Sequence, residues 1–154
     1  MNSDIFVRIA ADGLMIPIIL LGSYALIFKI PKGKRLKSYS IILVAGLTAY
    51  LYAKLIGSVY QPEILRPFEL AGTAAGASFL NNPGFPSDHI LFATVLTCAV
   101  WFTTKQKNIT LILALLIVFV GIGRVLALVH TPIDVIGGVL IAFMGSLWYL
   151  NEKT

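Results

Sequence analysis

The sequence predicts an all-α fold, an integral membrane helical bundle with about five transmembrane helices. Hydrophobic residues make up 58% of the 154-residue chain, more than the 45–50% that is usual in soluble domains. They are concentrated in runs of about 17–25 residues, the length that crosses a bilayer. The mean hydropathy is +0.88 and only 12% of the residues are charged. We therefore expect one transmembrane domain that includes all of residues 1–154.

Hydropathy divides the chain into five apolar segments. A loop of unusual length, residues 61–86, separates the second segment from the third and contains four prolines. Residues 3–12 are expected to add a helix at the membrane interface. The predicted transmembrane spans cover residues 13–30, 39–60, 87–104, 109–129 and 132–150.

Basic residues are distributed unevenly between the two membrane faces that five spans define. Because cytoplasmic loops are enriched in Lys and Arg, the more basic face is expected to be cytoplasmic. The protein should then be a multi-pass protein of the cell membrane, with its N-terminus outside and its C-terminus in the cytoplasm. The net charge of +5 reflects this orientation, and we expect no binding to nucleic acid. The more basic face carries Lys29, Lys32, Lys34, Arg35, Lys37, Lys105, Lys107 and Lys153.

The opposite face contains polar residues that orientation does not explain. Each has a structural explanation of its own, such as helix capping by Ser87 or by the Thr131–Asp134 segment, or snorkelling of a long basic side chain. Those explanations do not account for convergence from four segments onto one side. Ionisable groups at membrane depth are costly and are usually functional. The candidate site residues are Lys54, Arg66, Ser87, Asp88, His89, Arg124, His130 and Asp134.

This combination of residue types favours phosphoryl transfer through a histidine. Three cations and the N–H groups at a helix start form a site suited to a phosphate. A histidine close to a carboxylate is typical of an activated base or nucleophile, and a second histidine can serve as a general acid. Zinc is the competing hypothesis, but three nearby cations would repel the ion. We therefore expect neither a metal nor another cofactor.

Three short motifs resemble the signature motifs of the type 2 phosphatidic acid phosphatase superfamily, which includes lipid phosphate phosphatases. The motifs are "RPF" at 66–68, "PSDH" at 86–89 and "RVLALVHTPID" at 124–134. The third is the most specific, because it combines an arginine, a histidine and an aspartate at the spacing of the family. The resemblance extends over about residues 50–145, and the functional residues lie within 54–134.

The resemblance implies a role for each of these residues. His130 would be the nucleophile and would form a phosphohistidine, while Asp134 would orient its ring. His89 would protonate the departing oxygen, on the extracytoplasmic side of the membrane. The phosphoryl oxygens would be held by Lys54, Arg66, Ser87, Arg124 and the helix-start amides around Asp88.

The chain departs from the family pattern in three respects. Lys54 and Arg66 are twelve residues apart, whereas the family usually has seven. Asp88 replaces a usual glycine and resembles the subgroup that acts on undecaprenyl diphosphate, a lipid of the bacterial cell wall. It could orient His89 or disfavour some head groups. The third departure is that five spans are one fewer than the family usually has.

Three functions follow as hypotheses. The first is hydrolysis of the terminal phosphate of an isoprenoid diphosphate of the undecaprenyl diphosphate type. The second keeps the chemistry but takes phosphatidic acid or phosphatidylglycerophosphate as the lipid phosphate. The third is a non-catalytic membrane protein that binds anionic lipids. Two histidines and a carboxylate argue against the third, because a binding protein needs only the cations. The sequence does not predict the oligomeric state.

Overall fold

The computed structural model describes residues 2–62 and 65–151, which form helices and connecting loops without any β-strand. A π-helical turn at Ile9–Gly13 joins the first two helices, and 3₁₀ turns occur at Lys32–Lys34 and Leu147–Asn151. The helices are α1 (Asn2–Arg8), α2 (Met15–Phe28), α3 (Arg35–Val59), α4 (Pro67–Leu70), α5 (Asp88–Thr104), α6 (Lys107–Leu126) and α7 (Pro132–Ser146).

The described helices confirm the predicted membrane bundle. Four stretches are long and apolar enough to cross a bilayer, and α5 is a shorter apolar helix. Together they make the five membrane helices that hydropathy predicts. The four longer stretches are Asp4–Phe28, Lys32–Val59, Lys107–Leu126 and Pro132–Leu150.

The expectation of a separate interfacial helix over residues 3–12 is wrong. Those residues continue into α2, because the Leu14 N–H donates to the Ile9 carbonyl at 3.0 Å and closes a π-helical turn rather than ending the helix. Exposed apolar side chains such as Ile5 and Phe6 extend the lipid-facing surface of α2 along α1. Arg8 and Asp12 lower the local hydropathy, so the sequence places the start of this span too late.

The shortest membrane helix, α5, lies at the centre of the bundle. It packs against α2, α3, α6 and α7. Ile90, Ala93 and Val100 on α5 belong to a buried apolar cluster with residues of α2 and α6. Small residues let the other helices approach closely: a Cβ on Gly145 of α7 would lie 2.5 Å from the Ala45 carbonyl of α3. The start of α5 is therefore surrounded by the other helices.

The alternating helices give the bundle two chemically different ends. The site end contains the π turn, the end of α3, residues 65–87 of the long loop, the starts of α5 and α7 and the end of α6. The basic end contains the links between α2 and α3 and between α5 and α6, where the lysines Lys32, Lys34, Lys37, Lys105 and Lys107 are exposed. Which side of a membrane each end faces stays a prediction.

Candidate active site

A histidine and an aspartate face each other where α6 turns into α7. The Asp134 carboxylate Oδ2 accepts a hydrogen bond from the Thr131 N–H at 2.8 Å, and the Asp134 N–H donates to Thr131 Oγ1 at 3.3 Å. The same Oδ2 lies 3.4 Å from Nδ1 of His130. The capping box thus holds the carboxylate against the imidazole. Asp134 therefore has two roles in this structure: it caps α7 and it faces the imidazole of His130.

The environment of His130 favours a neutral imidazole. The side chain is buried, and this burial lowers the pKa of His130; the Asp134 carboxylate acts against the shift, while the positive charges of Arg124 and Arg66 add to it. With the carboxylate beside Nδ1, the proton of a neutral ring belongs on Nδ1. Nε2 then keeps a free lone pair, as a nucleophile requires.

Arg66 connects the long loop to the residue before His130. Its guanidinium donates from Nη1 to the Val129 carbonyl at 2.7 Å and from Nη2 to the Leu80 carbonyl at 3.1 Å. Nη2 also lies 3.1 Å from both the main-chain and the side-chain oxygen of Asn82. These bonds fix a buried positive charge beside the histidine–aspartate pair.

Arg124 is held by a residue that lies outside the three motifs. Its Nη1 donates to Asp12 Oδ1 at 2.8 Å and to the Ser78 carbonyl at 2.7 Å. The side chain is only 1% exposed, and its Nε has no hydrogen-bond partner. One edge of the guanidinium is therefore fixed by the protein, and the Nε edge is left for another ligand.

Ser87 is fully buried at the N-cap position of α5, yet its hydroxyl caps nothing. Its N–H donates to the Asp134 carbonyl at 3.0 Å, which joins the start of α5 to the start of α7. In the described part of the chain, the buried side-chain atoms that lack a hydrogen-bond partner include Ser87 Oγ and Arg124 Nε, whereas His130 Nδ1 faces the Asp134 carboxylate at 3.4 Å. An unsatisfied buried polar group costs about 1–3 kcal/mol, so their concentration here is typical of a binding site.

Asp88 and His89 are adjacent in the sequence but contact different residues: Asp88 contacts the amide of Asn82, and His89 lies near the carboxylate of Asp12. Asp88 Oδ2 accepts a hydrogen bond from the Asn82 amide at 3.0 Å, so it is linked through Asn82 to Arg66. The half-exposed imidazole of His89 lies with Nε2 3.9 Å from Oδ1 of Asp12. The hydrogen bond to Asn82 favours a loop-fixing role for Asp88.

Lys54 lies at the edge of this set of residues. It is exposed on α3, with Nζ 5.3 Å from the centre of the Tyr50 ring. Together with Asn82 and Asp88 it lines a cavity of about 150 Å³. Its role as a phosphate ligand stays a prediction.

Within residues 2–62 and 65–151, no group of three or more His, Cys, Asp or Glu side chains could hold a metal ion.

The long loop is fixed to the turn that carries His130. The Phe68 N–H donates to the Leu128 carbonyl at 2.9 Å, and the Gly76 N–H donates to the Ala127 carbonyl at 3.0 Å. Leu128 adopts a left-handed backbone with φ of 58°, which is unusual for a residue with a branched side chain. Such conformations persist where the surroundings enforce them and are common at functional sites.

Three residues of the site are absent from the sequence-based set: Asp12, Ser78 and Asn82. Asp12 could have been recognised as an acid at membrane depth, had the first span been started earlier than residue 13. Ser78 contributes only main-chain atoms, and Asn82 is one polar residue among many in the loop. No sequence pattern singles these two out.

The chain also matches a model of a known protein family. The model describes the PAP2 superfamily and matches residues 36–152, which include all three motifs. Searches of curated proteins and of solved structures found no significant match. The family match confirms the resemblance that the motifs indicate. Because it spans more than half of the sequence, the chain belongs to the PAP2 superfamily, and this membership implies phosphatase activity on phosphate esters.

Proposed function

We propose that the protein is an integral-membrane lipid phosphatase that removes the terminal phosphate of an isoprenoid diphosphate through a phosphohistidine on His130. The observation that carries the proposal is the buried His130–Asp134 pair, with two fixed arginines and an unused serine hydroxyl around it. In phosphoryl transfer, positioning and charge neutralisation supply most of the catalysis. This arrangement offers both.

The reaction takes place in two steps. Nε2 of His130 attacks the terminal phosphorus, forming an N–P bond as the P–O bond to the lipid monophosphate breaks, and His89 gives its proton to the departing oxygen. Water then attacks the phosphorus, forming a P–O bond as the N–P bond to His130 breaks, while His89 accepts a proton from the water. Inorganic phosphate leaves, and both histidines return to their starting states.

An apolar groove next to the site supports a lipid as the substrate. The groove has a volume of about 680 Å³ and is formed mainly by α3 and α5. Lys54 and Asp88 lie at its polar end, whereas Leu26 and Ala99 line it further towards the basic end. A hydrocarbon chain in this groove would place its phosphate group at the site end.

Phosphate release by the purified protein in detergent tests the proposal. Undecaprenyl diphosphate, farnesyl diphosphate, phosphatidic acid and phosphatidylglycerophosphate are compared, with His130→Ala as the blank. We expect the isoprenoid diphosphates to be preferred, and His130→Ala to lower turnover by about 10⁴-fold or more because a nucleophile is lost. Preference for the glycerophospholipids would mean that the substrate is a glycerophospholipid phosphate rather than an isoprenoid diphosphate. Normal turnover by His130→Ala would overturn the phosphohistidine mechanism.

Two inhibitors test the chemistry separately from the choice of lipid. Orthovanadate mimics five-coordinate phosphorus and should inhibit the wild-type protein, whereas EDTA should have no effect. Inhibition by EDTA that zinc reverses would contradict the metal-free mechanism. Absence of phosphate release from all four lipids would favour the third hypothesis, an anionic-lipid-binding member of the family, and would make the twelve-residue spacing of Lys54 and Arg66 the first feature to test.

A further inference from the structure

Asp12 forms a contact with three separate parts of the site. Its Oδ1 accepts from Nη1 of Arg124 at 2.8 Å, and its Oδ2 accepts from the Ser78 N–H at 2.8 Å. Oδ1 also lies 3.9 Å from Nε2 of His89. Both carboxylate oxygens are therefore occupied by distant segments of the chain. Asp12 itself lies outside the region matched by the family model.

The backbone at Asp12 is shaped for this contact. Asp12 belongs to the π-helical turn Ile9–Gly13, and single π turns inside α-helices are often found at functional sites. The turn packs directly on α6, where a Cβ on Gly123 would lie 2.6 Å from the Ala11 nitrogen and 2.7 Å from the Ala10 carbonyl carbon. Only a glycine at this position allows the π turn to come close enough for Asp12 to reach Arg124.

The contact decides which edge of Arg124 is available. Asp12 and the Ser78 carbonyl both bind Nη1, so the opposite edge of the planar guanidinium, which carries Nε, points away from this clamp. Nε is buried and has no partner. A guanidinium edge binds two oxygens of a phosphate in a fixed geometry only if the group cannot rotate.

We propose that Asp12 is a positioning residue that clamps Nη1 of Arg124 and thereby presents the Nε edge of this arginine to the phosphoryl oxygens of the substrate. The inference rests on the proposed function, since it assigns the anion that Arg124 binds. Asp12 does not touch the substrate. A carboxylate in the π turn before α2 thus completes a phosphate site whose other members all lie between the end of α3 and the start of α7.

The competing explanation is that Asp12 only stabilises the fold by pairing with a buried arginine. Removing the partner of a buried charge is destabilising, so activity alone does not separate the two explanations. The test therefore measures anion affinity and folding in the same samples. The variants are Asp12→Ala, Asp12→Asn and Arg124→Ala, together with the double variant Asp12→Ala/Arg124→Ala. Asp4→Asn on the same helix serves as a control.

The experiment measures binding of orthovanadate and of inorganic phosphate to the purified protein in detergent, along with kcat, KM and the thermal unfolding midpoint. We expect Asp12→Ala to weaken orthovanadate binding by about 10–100-fold, the effect of losing one charge-assisted hydrogen bond. Asp12→Asn keeps one oxygen acceptor for Nη1 and should be affected less. In the Arg124→Ala background, Asp12→Ala should have no further effect, because the clamp then has nothing to hold.

Three results with the variants would overturn the inference. The first is that Asp12→Ala binds orthovanadate as tightly as the wild type, or loses binding only in proportion to the unfolded fraction. The second is that the effects of Asp12→Ala and Arg124→Ala add in the double variant. The third is that Asp4→Asn has the same effect as Asp12→Asn. Anion binding without turnover would contradict the proposed function alone, and the variants would still decide the inference, whereas absence of anion binding by the wild type would reject both.

Discussion

Arginines at the two ends of the bundle are held in opposite ways. At the basic end, Arg35 is half-buried and donates from Nη2 to the Ile27 carbonyl at 2.9 Å, only eight residues away. At the site end, Arg124 is buried and is held by Asp12 and Ser78, which are 112 and 46 residues away. Arg35 satisfies the carbonyls at a helix C-terminus, whereas Arg124 leaves Nε unpaired. An arginine that caps a helix end, like Arg35, needs only partners that are close in the sequence. Arg124 is held by partners distant in the sequence, and its Nε edge stays available for a ligand.

Replacing each arginine by lysine should give the largest contrast between the two ends. Lysine is a point charge and does not bind Asp12 and a phosphate with separate, fixed edges. We expect Arg124→Lys to lower kcat/KM for the lipid substrate by about 10²–10³-fold, as for loss of a donor that stabilises transition-state charge. Arg35→Lys should leave kcat/KM unchanged. Steady-state kinetics of both purified variants in detergent, with circular dichroism to verify helix content, check this prediction.

If Arg124→Lys retained activity within threefold of the wild type, its guanidinium geometry would have no role in catalysis. An equal loss in Arg35→Lys would instead mean that any change to a helix-end arginine disturbs the bundle, and the comparison between the two ends would fail.

The apolar groove that extends between the two ends should give a smaller effect. Gly46 lies in its wall, and a Cβ there would meet only Val95 at an ordinary contact distance of 3.7 Å. Gly46→Phe should fill the groove and raise KM for a long-chain lipid phosphate by about tenfold or more, while KM for a short, water-soluble phosphate stays the same. Gly33→Phe at the basic end, where a Cβ would meet nothing within 4 Å, is the matched control. If Gly46→Phe changed KM equally for both substrates, the groove would not be the binding site of the hydrocarbon chain.

The exposed lysines of the basic end should have the smallest effect on chemistry. The double variant Lys32→Gln/Lys34→Gln should keep phosphatase activity in detergent within about twofold of the wild type, since exposed charges far from a site are largely screened. In cells it should weaken the orientation preference. Cysteines placed at Asn82 and at Gln106 report this through labelling by an impermeant reagent. Labelling at Gln106 and not at Asn82 in the unaltered background would reverse the predicted topology.

The sequence predicts the bundle well because lipid imposes a simple rule. A run of apolar residues must become a helix in a bilayer, so the four later spans begin and end close to their predicted positions. The predicted start of the first span is too late, because Arg8 and Asp12 interrupt the apolar run. Exposed apolar side chains nevertheless continue along the helix before residue 13. Hydropathy averages over a window, and it does not recognise one acid that is compensated by a buried partner.

Local spacing also explains which part of the site is predictable. His130 and Asp134 are four residues apart, and the Thr131 capping box depends on neighbours in the chain, so both contacts are visible in the motif. The partners of Arg66 and Arg124 are not visible, because they lie in segments 14 to 112 residues away. The most distant contact, between Asp12 and Arg124, depends on how the π turn packs on α6. Lys54 is a different case: its role as a phosphate ligand stays a prediction, because its amine lies over Tyr50 while its side chain lines a cavity with Asn82 and Asp88.

The shortness of α5 has a consequence for water. Its 17 residues span about 26 Å, less than the roughly 30 Å of a hydrocarbon core, whereas the 25 residues of α3 span about 38 Å. Measured from a common level at the basic end, the start of α5 with Ser87 and His89 would lie deeper than the end of α3. The proposed mechanism ends with attack of water on the phosphohistidine, so it requires a water molecule at that depth. On this mechanism, the length of one central helix sets how far water must reach into the bilayer before the phosphate is released.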